Sequence, residues 1–187
     1  MQKLENDMLL YHGSYCEVQN PDLTKCARYK DFGQGFYLTT SRNQAESFAK
    51  ISLRKAIANG IVDEGRQYGI VSAFQCNNTE RLSVKIYSMA DAEWLHCVVG
   101  HRKSKSFPDL IENLKEFDVV GGKIANDNTN ATITTYMAGG YGMVGSKPAD
   151  EICISLLLPE RLQDQFCFRT DEALQSLVFV ESEQIWL

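Results

Sequence analysis

The sequence predicts an α+β fold, in which short strands are interspersed with helices. Strand-forming apolar segments, such as residues 8–12 and 35–40, occur along the whole chain. Amphipathic segments lie between them, and in residues 45–57 the apolar side chains recur at helical spacing. Because these elements do not follow the regular order of βαβ units, the sequence favours an α+β domain over a doubly wound sheet.

The length of the chain favours one globular domain that covers residues 1–187, and its net charge argues against a protein that coats nucleic acid. A chain of 187 residues has an ordinary size for one domain and buries enough surface to be stable without disulfides or metals. No linker or internal repeat divides it. The formal net charge of −5 disfavours a protein that coats nucleic acid, because phosphate binding requires a basic surface.

The strands are predicted from apolar runs and from the turns that bound them. Residues 8–12 are apolar, and this strand is expected to end at Gly13 and Ser14. The aromatic and β-branched run 35–40 follows a glycine-rich loop. An Asn-Asn-Thr turn separates the next two strands, and the last three are short apolar runs beside turn residues. In order, the predicted strands cover residues 8–12, 35–40, 70–76, 82–87, 117–120, 165–168 and 178–180.

The helix after the second strand has clear start and stop signals. Ser41 fits an N-cap, Gln44 occupies the capping-box position, and Gly60 follows the last apolar residue. Further helices are predicted at residues 90–99, from about 130 onwards, at 149–158 and at 171–177.

The six cysteines predict a reduced protein without a metal site. None forms a C-x-x-C pair or lies near a histidine at zinc-finger spacing. Four of them lie in apolar runs and are predicted to be buried free thiols: Cys76, Cys97, Cys153 and Cys167. The first residues lack a secretory signal segment, and no run is long and apolar enough to span a membrane. We therefore expect a cytoplasmic protein that has no membrane partner.

Two motif-like segments are interpreted as structural. Residues 140–145 match G-x-G-x-x-G, but a helix-like segment precedes them where the dinucleotide fingerprint needs a strand. We therefore predict that residues 140–145 form a loop and not a Rossmann site. The basic residues 101–105 are expected to form a solvated helix end.

Three other segments carry side chains suited to binding a ligand. His12 ends an apolar strand and is followed by Gly13, so its imidazole can lie beside main-chain N–H groups that a ligand can approach. Glycines precede Tyr37, and Phe48 follows eleven residues later, so two rings can enclose a flat heterocycle. Gln165 lies in an alternating segment and can point into a cleft. Taken singly, each segment also fits an ordinary element: a core histidine, a packed aromatic strand and an edge strand.

Together, these segments resemble the signature of ADP-ribosyltransferases of the diphtheria-toxin and poly(ADP-ribose) polymerase branch, which carries a His-Tyr-Glu triad on three strands. The whole chain is similar to a bacterial family known mainly as a domain of unknown function in that superfamily. The resemblance is carried by YHGS, DFGQGFYLT, ANDNT and DQFCF, at residues 11–14, 31–39, 125–129 and 164–168. These segments occur in order and extend over nearly the whole chain.

The resemblance implies an ADP-ribosyltransferase-like split β-sandwich with flanking helices and a cleft for NAD⁺, which serves as co-substrate. His12 would hydrogen-bond a ribose hydroxyl, and the backbone of Gly13 would hold the nicotinamide carboxamide. Tyr37 and Phe48 would stack on the two faces of the nicotinamide ring. The remaining residues implied to bind NAD⁺ are Ser14, Gly35, Phe36 and Asn128.

Gln165 stands where the triad has a glutamate. Cleavage of the nicotinamide–ribose bond builds positive charge on the ribose, which a carboxylate stabilises and an uncharged amide does not. Gln165 can still orient a hydroxyl, and Asp127 is a candidate for the missing carboxylate. The candidate catalytic residues are therefore His12, Tyr37 and Gln165 from the triad positions, and Asp127 as a substitute carboxylate.

The resulting hypothesis is a mono-ADP-ribosyltransferase that moves ADP-ribose from NAD⁺ to a macromolecular acceptor of unknown type. The resemblance also implies a bacterial toxin or defence role with a small neutralising, antitoxin-like partner. Three alternatives stay open: an NAD⁺ glycohydrolase, in which water replaces the acceptor; a catalytically inactive module that binds NAD⁺ or ADP-ribose; and an interaction protein without a ligand. For an inactive module, Gln165→Glu is expected to restore activity.

Overall fold

The computed structural model describes residues 3–103, 105–124, 127–158 and 162–187, and of Asp127 and Asn128 it describes only the backbone. Across these residues the chain forms two β-sheets and six α-helices, which confirms the predicted α+β class. Within the same residues, no helix has both the length and the apolar character needed to cross a membrane.

Seven strands form the two sheets. They are β1 (Leu9–Ser14), β2 (Phe36–Leu38), β3 (Tyr68–Cys76), β4 (Val84–Ile86), β5 (Val119–Lys123), β6 (Asp164–Phe168) and β7 (Leu177–Trp186). The first sheet has the order β1-β3-β7, and all its pairs are antiparallel. The second sheet has the order β2-β6-β5-β4, in which only the β4–β5 pair is parallel.

Six helices pack around the sheets in the described residues. They are α1 (Arg42–Ala58), α2 (Ala92–Arg102), α3 (Pro108–Asn113), α4 (Asp127–Met137), α5 (Lys147–Leu157) and α6 (Asp171–Gln175). α1 covers the outer face of the first sheet and buries Ala45 and Ala49 against it. Leu10 and Phe166 belong to the apolar layer between the two sheets. α2, α4 and α5 cover the outer face of the second sheet around the fully buried Trp94.

The predicted start and end of α1 are confirmed, but its capping box is not. Ser41 is the N-cap, and its Oγ accepts a hydrogen bond from the N–H of Gln44 at 3.3 Å. The Gln44 side chain does not complete a capping box, because its Oε1 accepts from Thr39 Oγ1 at 2.9 Å. The helix ends at Ala58, and Gly60 follows with a φ of 66°, in the left-handed region that favours glycine.

Two predicted strands have wrong bounds and one helix is missed, each for an identifiable reason. β1 does not end before Gly13 but continues through Ser14, because both residues pair with β3. β7 extends from the predicted residues 178–180 to Trp186, since charged and polar residues on its exposed face conceal the pairing with β3. α3 was not predicted, because six residues are too few to show helical periodicity. The other boundaries differ from prediction by a few residues; α4 and α5, for example, begin at 127 and 147 instead of 130 and 149.

The four cysteines predicted to be buried free thiols are buried and free: Cys76, Cys97, Cys153 and Cys167. Burial raises the pKa of Cys97, Cys153 and Cys167 to about 12. Cys16 and Cys26 are partly exposed and also free.

Candidate functional site

The two sheets join and then separate where β1 runs beside β2. The main-chain N–H and C=O of Tyr11 pair with those of Thr39, at N–O distances of 2.8 and 3.0 Å. In the described part of the chain this is the one bridge between β1 and β2. Beyond it, β1 continues in the first sheet beside β3, and β2 belongs to the second sheet beside β6. We call the gap between residues 12–14 of β1 and residues 36–38 of β2 the split.

Strand alternation places the candidate side chains on defined sides of the split. Directly paired residues put their side chains on the same face, so Tyr11 and Thr39 face one side. Because side chains alternate along a strand, Gly13 and Tyr37 face that side too. The packing agrees with this assignment. Tyr11 packs on the apolar cluster under α1 and Tyr37 on the one under α2, and both clusters lie on the outer faces of the sheets. His12 faces the layer between the sheets and approaches the split from the opposite side.

His12 spans the split. Its Nδ1 lies 2.8 Å from the main-chain oxygen of Tyr37, and since a carbonyl can only accept, Nδ1 carries the hydrogen. The His12 ring centroid lies 4.4 Å from that of Phe36. Burial lowers the pKa of His12, an effect that the hydrogen bond to Tyr37 only partly opposes. In the neutral ring, Nε2 is left as a hydrogen-bond acceptor.

Gly13 brings α1 close to β1 and leaves the main chain open toward the split. A Cβ at this position would lie 1.9 Å from the main-chain oxygen of Ala45 and 2.7 Å from the nitrogen of Ala49, so only glycine fits. Tyr11 bonds toward β2, and by antiparallel alternation the N–H and C=O of Gly13 also point away from β3. Within the described residues these two groups have no partner.

The hydroxyl of Tyr37 is bound to the glycine loop of residues 31–35. It accepts from the N–H of Phe32 at 2.9 Å and donates to the oxygen of Gly33 at 2.8 Å. Burial, together with the nearby Cys167 and Asp31, raises the pKa of Tyr37 well above its ordinary value. The hydroxyl therefore anchors the loop, and the ring is the part of Tyr37 that can face a ligand.

Three further predicted binding residues have local packing contacts. A Cβ on Gly35 would lie 2.4 Å from the Sγ of Cys167, so this glycine lets β2 approach β6 closely. Phe36 is buried between the sheets. Ser14 lies at the end of β1, where its Oγ is 3.9 Å from the Sγ of Cys16. Contact with a ligand is untested for all three.

A polar network that sequence reasoning missed lies behind Gln165. Gln165 Nε2 donates to Asp31 Oδ2 at 3.0 Å. Arg102 donates to Asp31 Oδ1 from Nε at 2.9 Å and from Nη2 at 2.6 Å, and its Nη1 donates to Asn130 Oδ1 at 3.0 Å. Asp164, next to Gln165, pairs instead with Lys123 at 2.9 Å. Asp31 and Arg102 are 71 positions apart, a separation that no local sequence pattern reveals.

Phe48 and the α4 residues complete the candidate set. Phe48 is 39% exposed on α1, and no ring contact joins it to Tyr37 among the described residues. Phe48 is therefore available to a ligand but does not form a preassembled sandwich. α4 begins at Asp127, but the side chains of Asp127 and Asn128 lie outside the described residues, so both remain predictions.

The basic residues 101–105 form the expected solvated helix end only in part: Lys103 and Lys105 are exposed, whereas His101 and Arg102 are not. His101 is 8% exposed, and a Cβ on Gly33 would lie 2.9 Å from its Cδ2. The side chain of Arg102 is 16% exposed and paired with Asp31. Burial, with Arg169 nearby, lowers the pKa of His101 to about 4. The prediction failed for His101 and Arg102 because the last turn of α2 packs against the glycine loop.

A second polar cluster lies among α2, α4 and α5. His96 Nε2 lies 2.9 Å from Asp150 Oδ2, and the Tyr136 hydroxyl donates to the other oxygen of Asp150. The same hydroxyl accepts from the N–H of Gly145 at 2.8 Å. The His96 ring stacks on Phe107 with a centroid distance of 4.1 Å. The cluster anchors the glycine-rich loop between α4 and α5, which follows a helix as predicted and is therefore no Rossmann turn.

The described residues provide no metal-binding cluster, and two surface concavities lie away from the candidate residues. In the described ranges no group of three or more His, Cys, Asp or Glu side chains is placed to hold a metal ion. The two concavities lie elsewhere on the surface. One is lined by Lys3, Leu4, Val84, Ile86 and Ser88, the other by Asn78, Arg81, Leu82, Glu172, Gln175 and Ser176.

Comparison with known proteins identifies a family. The model of the family described as protein of unknown function (DUF3990) matches residues 8–179. This range includes the split, the glycine loop and the Asp31–Gln165 pair. A search of curated proteins finds no match to the chain.

Proposed function

This chain belongs to the DUF3990 family of proteins of unknown function, and we propose that it binds NAD⁺ at the split and transfers ADP-ribose to a macromolecular acceptor. The proposed fold is accordingly an ADP-ribosyltransferase-like split β-sandwich. In the reaction the bond between nicotinamide and ribose breaks, and its electron pair leaves with nicotinamide. A nucleophile of the acceptor then bonds to the ribose carbon and loses its proton.

The observation that carries the proposal is the separation of β1 from β2 directly after the Tyr11–Thr39 bridge. The separation leaves the N–H and C=O of Gly13 without a partner among the described residues. A carboxamide offers one acceptor oxygen and two N–H donors. These two main-chain groups therefore suit the nicotinamide carboxamide, in agreement with the role that the resemblance implies for Gly13.

The aromatic side chains flank the same place. The Tyr37 ring lies on the same side of the sheets as Gly13, as strand alternation requires. Phe48 is one helical turn before Ser52, whose Oγ accepts from the N–H of Tyr15 just after β1. Residues four apart share one face of a helix, so Phe48 lies on the row of α1 that faces the end of β1. A nicotinamide ring at Gly13 would thus have an aromatic ring on either side.

His12 and Gln165 supply two hydrogen-bond acceptors for the sugar. The Nε2 of neutral His12 accepts from a ribose hydroxyl, because its Nδ1 hydrogen is already donated to Tyr37. Gln165 offers its Oε1 as an acceptor, since its Nε2 donates a hydrogen bond to Asp31. Two fixed acceptors hold the ribose in one orientation while the bond to nicotinamide breaks.

Binding without turnover is the second candidate function. The carboxylate that contacts Gln165 is Asp31, and Arg102 donates two hydrogen bonds to it. The guanidinium offsets much of the negative charge that an oxocarbenium-like ribose requires. This pairing favours a module that holds NAD⁺ or ADP-ribose and does not cleave it.

Incubation with labelled NAD⁺ and cell lysate tests the proposal. With the label in the adenylate phosphate, transfer puts the label on a macromolecule, whereas glycohydrolysis yields free ADP-ribose. Bound but intact NAD⁺ would establish the binding module instead. Absence of both product and binding would refute the proposal.

A matched pair of exposed apolar residues provides the control for this test. Phe48→Ala is expected to weaken NAD⁺ binding about tenfold, because it removes one stacking face at little cost to the core. Ile61→Ala changes a side chain that is 60% exposed and is expected to leave binding unchanged. Equal affinities in the two variants would exclude Phe48 from the site.

A further inference from the structure

Asp31 and Gln165 form a hydrogen-bonded pair at the position where the family resemblance places a catalytic carboxylate. The Nε2–Oδ2 distance is 3.0 Å, and each residue is only 6% exposed. Asp31 belongs to the glycine loop and Gln165 to β6, 134 positions away. A carboxylate from a different element therefore lies directly beside residue 165.

The pair determines which way the Gln165 amide faces. An ionised carboxylate can only accept hydrogen bonds, so the NH₂ group of Gln165 must point at Asp31. The Oε1 then points away from Asp31. No described residue donates to this oxygen, and it is not among the enclosed polar atoms that lack a partner. This oxygen therefore keeps its capacity to accept a hydrogen bond from a ligand hydroxyl.

The pair also changes the electronic character of that oxygen. A donor bound to an anion makes a charge-assisted hydrogen bond, which is about twice as strong as a neutral one. Hydrogen bonds in a chain polarise one another, so electron density shifts toward Oε1. Gln165 next to Asp31 is thus a better acceptor, and a better neighbour for positive charge, than an isolated glutamine.

Arg102 and Asn130 hold Asp31 in place. The Nε and Nη2 of Arg102 both donate to Asp31 Oδ1, and this leaves Oδ2 for Gln165. The Nη1 of Arg102 donates to Asn130 in α4. Four elements therefore fix the carboxylate, and a buried hydrogen-bonded network of this kind allows it little freedom of rotation.

We propose that Asp31 is a positioning residue that turns and polarises Gln165, so that Gln165 Oε1 binds a ribose hydroxyl of NAD⁺. The inference rests on the proposed function, because it assigns a role within the same NAD⁺ site. In this arrangement, the Asp31–Gln165 pair replaces the single glutamate of the His-Tyr-Glu triad. Asp31 acts through Gln165 and does not itself touch the sugar.

The pair reverses the expectation that Gln165→Glu restores activity. A glutamate at 165 would place a second carboxylate about 3 Å from Asp31, and two like charges at that distance cannot both ionise without a large penalty. Gln165→Glu alone should therefore lower activity. Combined with Asp31→Asn, the same change restores one amide and one carboxylate with their positions exchanged.

The test uses wild type, both single variants and the Asp31→Asn/Gln165→Glu double variant. The readouts are kcat for nicotinamide release and Kd for NAD⁺. Losing a hydrogen bond to a charged partner predicts a decrease of about 10- to 100-fold in kcat, or in affinity if the wild type only binds. The double variant is expected to recover at least about tenfold over either single variant. A purely structural role would not produce this recovery together with unchanged melting temperatures.

Asp118→Asn is the matched control. Asp118 is also hydrogen-bonded beside the second sheet, to Ser83 and Thr170, but lies outside the network of Gln165. The Asp118→Asn substitution should leave both readouts within about twofold of wild type. Full activity in folded Asp31→Asn, or a double variant no better than the singles, would overturn the inference while the NAD⁺ site stands. A wild type that neither binds nor cleaves NAD⁺ would overturn the proposed function itself.

Discussion

His12 donates its Nδ1 hydrogen to the main-chain oxygen of Tyr37, 2.8 Å away, across the place where the two sheets separate. The bond ties β1 to β2 after their main-chain pairing has ended at the Tyr11–Thr39 bridge. Because its acceptor is a main-chain atom, the bond does not require the Tyr37 side chain. Tyr37→Phe should therefore leave His12 oriented while it releases the glycine loop, and the two changes can be separated experimentally.

Acid is expected to destabilise the fold through His12 and His101. Burial lowers the pKa of both, to about 4 for His101. The unfolded chain takes up these protons near its ordinary pKa of about 6.5. The free energy of unfolding therefore keeps its full value above about pH 6.5 and declines as the pH falls toward the pKa of the folded state.

For His101 the decline amounts to about 3 kcal/mol by pH 4, because one pKa unit corresponds to about 1.4 kcal/mol. Urea unfolding measured between pH 7 and pH 4 checks this slope. His101→Gln should flatten the slope relative to wild type. Parallel curves for the two proteins would rule out His101 as a source of the acid sensitivity.

Gly13→Ala is expected to destabilise the fold by about 3 kcal/mol. The added Cβ would meet the backbone of α1, 1.9 Å from the oxygen of Ala45, and backbone cannot move aside as a flexible side chain can. Gly65→Ala is the control, because its Cβ would meet only the Asp63 carboxylate. Chemical denaturation of both variants measures the difference, and equal stabilities would mean that α1 does not press on β1 as described.

Thiol reactivity should distinguish two classes of cysteine. Cys16 and Cys26 are partly exposed, whereas the other four are buried. Burial raises the pKa of the Cys97, Cys153 and Cys167 thiols to about 12, so the reactive thiolate is scarce at neutral pH. An aromatic disulfide reagent should modify at most two thiols in the native protein and all six in denaturant. Rapid native modification of Cys167 would contradict the packing of β6.

Tyr136→Phe is expected to loosen the glycine-rich loop between α4 and α5. The change removes the hydroxyl that donates to Asp150 and accepts from Gly145, at a cost of about 1–3 kcal/mol for leaving buried groups unsatisfied. Limited proteolysis should then cut this loop faster than in wild type. Tyr29→Phe, at a side chain that is 71% exposed, should not change the cleavage rate.

Local signals in the sequence predicted most elements of the fold. The Ser41 cap and Gly60 defined α1 because both act within one helical turn. The buried cysteines were recognisable from the apolar runs around them. β7 was predicted too short, because only its pairing with β3 identifies the segment up to Trp186 as a strand.

The candidate site was predicted only in part, because the sequence shows local motifs but not the contacts between distant elements. His12 and the glycine loop were visible as local motifs, and the structure brings His12 to Tyr37 and Phe36. The partnership of Asp31 with Gln165 and Arg102 depends on the packing of distant elements. Nothing in the basic run 101–105 indicates that α2 buries its last turn.

Nicotinamide release from NAD⁺ by the purified protein shows whether the split is an NAD⁺-cleaving site. Wild type and Tyr29→Phe should release nicotinamide at equal rates. His12→Ala should lower the rate of release at least about tenfold, because it removes both the ribose acceptor and the hydrogen bond across the split. If the folded wild-type protein neither binds nor cleaves NAD⁺, the split is not an NAD⁺ site.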